Sequence, residues 1–227
     1  MTQPTRRQII REETTQEILD TARAQMAERG AAALSLRAIA REMGMTAPAI
    51  YRYFTDRDAL VTALIGQAYE SLRQALEEAH QQNLQEGARK QLLAVGMAYR
   101  EWGVSHPAEY ALIFGTPIPN YHAPEETTVP LARSALGVLI NVIQEGLQSG
   151  ELRPLEEYAA LSPGLREEQG DIDPQVHLAL ALWGHVHGLT SLELYNHLQS
   201  LVEDPAELFR LELLSKVEFL FSKDSKQ

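Results

Sequence analysis

Apolar residues recur every three or four positions along almost the whole chain, and no stretch alternates apolar with polar at a period of two. That regularity argues against sheet-rich folds and leaves an all-helical protein punctuated by glycine and proline. A chain of 227 residues, 44% of them apolar, can bury a core as one large domain or two unequal ones. It has no cysteine, which excludes disulfides, thiolate metal sites and cysteine nucleophiles. No apolar run approaches the roughly 20 residues that a membrane-crossing helix needs. The first residues, Met1 to Glu13, are polar and hold no signal-peptide core, so the expected location is cytoplasmic.

The period predicts a first helix from Thr15 to Arg29 that stops at Gly30 and buries Ile18, Ala22 and Met26. A short second helix follows Ser35 and turns Leu36, Ile39, Ala40 and Met43 inward. Gly44 allows a tight turn, with Met45 as an apolar plug beneath it. A third helix runs from Thr46 to about Phe54, with Pro48 tolerated in its first turn. A long helix begins near Asp56, with Leu60, Leu64, Ala68, Leu72 and Leu76 as its stripe. Further helices are expected over Ala88 to Ser105, Ala108 to Phe114, Leu131 to Gln148, Gln175 to Gln199 and Pro205 to Phe221. Gly115 to Pro130 carries Pro117, Pro119, Pro124 and Pro130 and reads as a loop. Glu151 to Pro174 reads as an acidic, exposed connection.

The net charge of -11 is unevenly divided. Residues 1–57 carry +2 and the remainder -13. A near-neutral head on an acidic body can approach phosphate through the head alone.

That head contains two short helices joined by a glycine turn, Leu34 to Phe54, which is a helix-turn-helix arrangement whose second helix enters a major groove. At about 100° per residue, Ile50 and Phe54 define the buried face of the second helix, so Pro48 and Arg52 lie almost opposite. Ala47 and Ala49 are small enough for the backbone to approach base edges. Arg52 can bond both acceptors of a guanine. Tyr51 suits a thymine methyl or a phosphate, and Tyr53 a phosphate. Ser35, Arg37 and Thr46 sit in first turns, where free amides and the helix dipole favour an anion. Arg57 opens the next helix and could hold the same strand. Such contacts set register without reading sequence.

The run Ala49-Ile-Tyr-Arg-Tyr-Phe-Thr-Asp-Arg-Asp-Ala-Leu60, after Ile39-Ala-Arg-Glu-Met-Gly44, resembles the amino-terminal domain of TetR-type (tetracycline-repressor-like) transcriptional regulators. Trp183-Gly-His-Val-His-Gly-Leu-Thr-Ser-Leu-Glu-Leu194 is similar to the Trp…His-Gly segment of one effector-domain subgroup. The resemblance implies a three-helix DNA-binding domain, placed at 1–57, and a larger helical effector-binding and dimerisation domain at 58–227. It also implies a homodimer, usually a repressor, that leaves its operator when a small molecule binds. The family's DNA contacts then fall on Ser35, Arg37, Thr46, Ala47, Pro48, Ala49, Tyr51, Arg52, Tyr53 and Arg57. The family often has lysine where Arg57 stands and serine or threonine where Ala49 stands. The loss at Ala49 puts more of the sequence reading on Arg52.

The last helix has Leu208, Phe209, Leu211, Leu213, Leu214, Val217, Leu220 and Phe221, a spread wider than one stripe. Such a helix is either central in its domain or shared with a partner, and the last two helices are the expected dimer interface. For the effector, Trp102, His106, Tyr110, Phe114, Trp183 and His187 combine aromatic surface with polar tips, although each could simply be a core aromatic. His185 and His187 point about 200° apart on a helix, which argues against a metal site. No nucleophilic triad, Walker loop or dinucleotide fingerprint is present, so neither an enzyme nor a cofactor is expected. The competing expectation is a helical ligand-binding or protein-interaction module that has lost DNA binding.

Overall fold

The computed structural model describes residues 5–152 and 174–221, so the expected connection lies outside the described residues from 153 to 173. The described helices are α1 (Arg6–Arg29), α2 (Leu36–Glu42), α3 (Ala47–Ile50), α4 (Arg57–Gln82), α5 (Ala88–Ser105), α6 (Pro107–Phe114), α7 (Glu125–Gln148), α8 (Pro174–Leu194) and α9 (Pro205–Leu220). A 3-10 turn, Ala31–Ala33, follows α1, and one isolated antiparallel bridge joins Leu152 and Phe221. No described helix is long and apolar enough to cross a membrane. The chain divides into unit 1 (1–69 and 106–131) and unit 2 (70–105 and 132–227).

Helix boundaries depart from the expectation in four places, each with a local cause. α1 starts at Arg6, not Thr15, because Thr5 and Gln8 form a reciprocal cap: Gln8 N–H donates to Thr5 Oγ1 at 3.4 Å, and Thr5 N–H to Gln8 Oε1 at 2.7 Å. α3 is regular only over Ala47–Ile50, after which the chain tightens into turns, with Arg52 N–H on Ala49 O at 3.3 Å and Tyr53 N–H on Ile50 O at 2.9 Å. α7 begins at Glu125 and runs through Pro130, which had been expected to end a loop. Pro130 sits inside α7, where it cannot donate to Glu126 O and costs helix stability, a cost offset by the buried stripe Ala135, Val138 and Val142 further along the helix. Glu125 and Glu126 there face the positive end of the dipole. α8 ends at Leu194 rather than Gln199, because Asn196 adopts φ 62° and His197 N–H caps back onto Leu192 O at 2.8 Å.

Unit 1 is built on α1, α2, α3, the first half of α4 and α6. Ile18, Ala22, Met26, Leu36, Ile39, Ile50, Phe54, Leu60 and Leu64 form its buried core. Each of the large apolar side chains among them contributes about 1.5–3 kcal/mol of burial, which fixes the three short elements that have little intrinsic stability. Gly44 takes φ 66° between α2 and α3, and Met45 N–H closes the turn on Ala40 O at 2.8 Å. Met45 packs half-buried against the core, as the plug required. Leu112, Ile113, Ile118 and Tyr121 cover the same core, and Tyr121 bonds Thr62 through its hydroxyl at 2.9 Å.

Unit 2 packs α5, α8 and α9 against one another, with α7 alongside. Leu92, Val95, Tyr99, Leu178, Leu182, Val186, Phe209, Leu213 and Val217 are buried. α9 crosses α5 at Gly96, where a Cβ would stand 2.6 Å from Leu213 Cδ2. Any larger residue there would force the buried Leu213 side chain to shift. Arg100 on α5 forms a two-pronged ion pair with Glu193 on α8, at 2.8 and 2.5 Å, with side chains only 12% and 17% exposed.

Candidate nucleic-acid interface

The outward side of α3 is open to solvent. Thr46, Ala47, Pro48, Tyr51 and Arg52 are exposed, Ala49 and Tyr53 half-buried, and Ile50 and Phe54 buried at 0% and 7%. Tightening of the last turn leaves this pattern intact, because Phe54 N–H still bonds Ile50 O at 3.1 Å. Ser35 and Thr46 occupy the residue before α2 and α3 in extended conformation, yet neither hydroxyl accepts a bond from its helix. Both hydroxyls remain available to an outside acceptor.

Several cations of unit 1 have no acidic partner among the described residues. Arg6, Arg7, Arg37, Arg41 and Arg52 are exposed, and among the described residues none has a carboxylate within ion-pairing distance. Of these, Arg37 stands in the first turn of α2 and Arg52 just after α3, so unpaired guanidiniums suited to phosphate belong to the helix-turn-helix itself.

Two residues are placed differently from the sequence reading. Arg57 donates through Nη2 to Ala31 O at 3.2 Å and Ala32 O at 3.1 Å, so it ties the start of α4 to the 3-10 turn and is less free for a DNA strand. Arg11 carried no expectation, because α1 was expected to begin after it. Its Nη2 donates to Arg52 O at 3.3 Å, and its Cζ stands 5.8 Å from the centre of the Tyr53 ring. The Thr5-x-x-Gln8 box was the sequence signal that could have brought Arg11 into view.

The six aromatic candidates for effector contact fall into both units. In unit 1, Tyr110 is buried and its ring lies 5.1 Å from that of Phe114, which also meets Tyr69 edge-on at 6.2 Å. His106 precedes α6 and is half-buried. Burial raises the Tyr69 phenol above its ordinary pKa. In unit 2, the Trp183 and His187 rings on α8 lie 5.6 Å apart, tilted at 45°, and Tyr99 hydroxyl pairs with His187 Nδ1 at 2.9 Å. Trp102 is buried and donates through Nε1 to Ser71 Oγ at 3.0 Å. Tyr99 and Ser71 were not among the expected residues. Neither pairing follows from periodicity, since each joins separate helices. Burial lowers the pKa of His187, favouring the neutral ring. It also lowers that of His185, which faces Glu212 at 4.0 Å, so the two histidines look to different neighbours.

Known proteins give this geometry a context. Residues 18–64 match a family model described as bacterial regulatory proteins, tetR family, and residues 92–215 match one described as tetracyclin repressor-like, C-terminal domain. The HTH-type transcriptional regulator Rv1816 of Mycobacterium tuberculosis is 34% identical over 212 residues, covering 90% of this chain and 91% of that protein. A solved regulatory protein, SCO4313, is 35% identical with a TM-score of 0.78, covering 95% of this chain and all (100%) of that one. At 18% identity and a TM-score of 0.64, the regulator FadR of Bacillus subtilis, solved with stearoyl-CoA, shares the fold over 89% of this chain and 97% of its own. These matches make the chain a member of the TetR family of helix-turn-helix transcriptional regulators.

Proposed function

We propose that this regulator is a homodimeric repressor that reads its operator through α3 and leaves it when a small molecule binds. The observation that carries the reading is Arg52: it is exposed on the outward side of α3, without a carboxylate partner among the described residues, where a guanidinium can bond a guanine. Arg37, Ser35, Thr46, Tyr51 and Tyr53 surround it as phosphate or methyl contacts, with Ala47, Pro48 and Ala49 as the close-approach surface. Arg57 keeps a supporting role through the 3-10 turn.

The dimer is proposed to form through α8 and α9. Gly184 and Gly188 on α8 have no described atom within 4 Å of where a Cβ would stand, and Leu192 and Tyr195 continue that face at 41% and 47% exposure. Leu211 and Phe219 on α9 are 49% and 63% exposed. An apolar face of this kind on two adjacent helices matches a four-helix contact between two copies. Two copies set their reading helices about 34–36 Å apart, one duplex turn.

The effector reading rests on the aromatic groups: Trp102, Trp183 and His187 in unit 2, and His106, Tyr110 and Phe114 in unit 1. FadR, of the same fold, holds stearoyl-CoA, which supports an apolar molecule with a polar head as the class of ligand. A ligand that binds better to the geometry unable to span successive grooves depletes the DNA-bound population. α4, unbroken from Arg57 to Gln82, belongs to both units and is the proposed lever.

Selection of duplexes from a random pool, with and without cell metabolites, tests this reading. The expected result is a two-fold symmetric site whose recovery falls when metabolites are present. Failure to enrich any sequence would remove it. Sedimentation supplies the second check: wild type runs as a dimer and Leu211→Glu/Phe219→Glu as a folded monomer.

A further inference from the structure

α3 is a one-turn helix, and the residues that follow it, Tyr51 to Tyr53, are held by turns rather than by a regular ladder. Helices this short are marginal alone, so the direction of the Arg52 side chain depends on what tethers the backbone around it. From inside, Ile50 and Phe54 supply burial. From outside, the Arg52 carbonyl receives no backbone N–H among the described residues, and the group that bonds it is the Arg11 guanidinium, at 3.3 Å. The same guanidinium covers the Tyr53 ring at 5.8 Å. Arg11 stands two turns before Ile18 on α1, so the buried stripe of α1 aims it along the side of the core where α3 ends.

The geometry points to Arg11 as a positioning residue for operator reading: from α1 it clamps the peptide after Arg52 and the Tyr53 ring, and so sets the angle at which Arg52 meets a base. This rests on the DNA-reading role of α3 proposed above. The clamp uses two properties that lysine does not combine, a planar face for the ring and a divergent N–H for the carbonyl. Arg11 has no carboxylate partner among the described residues, so its whole donor set is committed to this corner or to solvent.

The test uses the full chain, wild type, Arg11→Ala and Arg11→Lys. Without DNA, hydrogen exchange at the amides of residues 51–54 is expected to rise in Arg11→Ala while the amides of α1 and α2 keep their wild-type protection. With DNA, the ratio of operator to scrambled-duplex affinity is expected to fall about tenfold, the size of one lost specific contact. The salt slope should stay within less than one phosphate contact of wild type, a contact being worth about 0.9 in that slope. Arg11→Lys should leave the ratio lowered. Unchanged exchange in Arg11→Ala overturns the clamp. So does an equal loss on both duplexes with a shallower salt slope, or full recovery in Arg11→Lys, because each of these marks a charge acting on phosphate. Raised exchange in a chain whose wild type selects no duplex leaves the clamp standing and removes the reading role of α3.

Discussion

In unit 2, most of the described cations face an acid: Arg73 pairs with Glu70 and Glu77, Arg89 with Glu218, Lys90 with Glu86, Arg100 with Glu193 and Arg210 with Glu207. Arg133 and Lys216 are its exceptions. In unit 1 the cations split by position. Arg23, Arg29 and Arg57 have acidic neighbours, whereas Arg6, Arg7, Arg11, Arg37, Arg41 and Arg52 have none among the described residues. The contrast shows why a net charge of -11 did not exclude DNA binding. Acids neutralise most of one unit's described cations internally, and the other unit leaves a subset unneutralised, Arg52 at the end of α3 among them, for an external anion.

This contrast can be broken from either side. The largest effect is expected in unit 2. Glu193→Leu strands the nearly buried Arg100 charge and should cost about 3 kcal/mol of stability, read by denaturant unfolding, while operator affinity of the folded fraction is retained. In unit 1, Arg52→Ala should leave the melting temperature unchanged and cost about 1–3 kcal/mol on the operator, relaxing one base preference. Equal operator affinity for wild type and variant would remove Arg52 as the reader. Arg37→Ala should weaken every duplex alike and reduce the salt slope by about 0.9, because it is assigned to phosphate.

The smallest expected effect is on pH dependence. Burial holds His187 below the ordinary histidine value of 6.5. Below that value the unfolded chain takes up a proton that the folded chain resists, so the stability is complete above about 6.5 and declines as pH falls. Thermal midpoints across this range should show that decline, and His187→Gln should flatten it in part, since His185 shifts in the same direction.

Much of this was legible in the residues because helical period is a local signal. The stripe Ile18, Ala22, Met26 and the pair Ile50, Phe54 are set by spacing alone, and the structure buries all of them. The exposed side of α3 follows by geometry. The start of α1 was also written locally, in Thr5-x-x-Gln8, but a polar first turn outweighed it in a reading built on apolar spacing. α7 escaped because proline density was read as a loop, when the stripe Ala135, Val138 and Val142 favours a helix that propagates back through Pro130. The aromatic candidates shared residue type rather than place, and the fold sorts them between two units.

By itself the sequence determined which segments are helical, which side of each faces inward and which short helix is turned outward, because these depend on neighbours within a turn or two. Only the tertiary structure decided that Arg57 serves carbonyls on the 3-10 turn, that Arg11 reaches the peptide after Arg52, and that Tyr99 meets His187. Those pairings span 26, 41 and 88 residues of chain. No local preference encodes them. They exist because burial of the apolar stripes fixes where the helices cross, and polar side chains then bond whatever the crossing brings within reach.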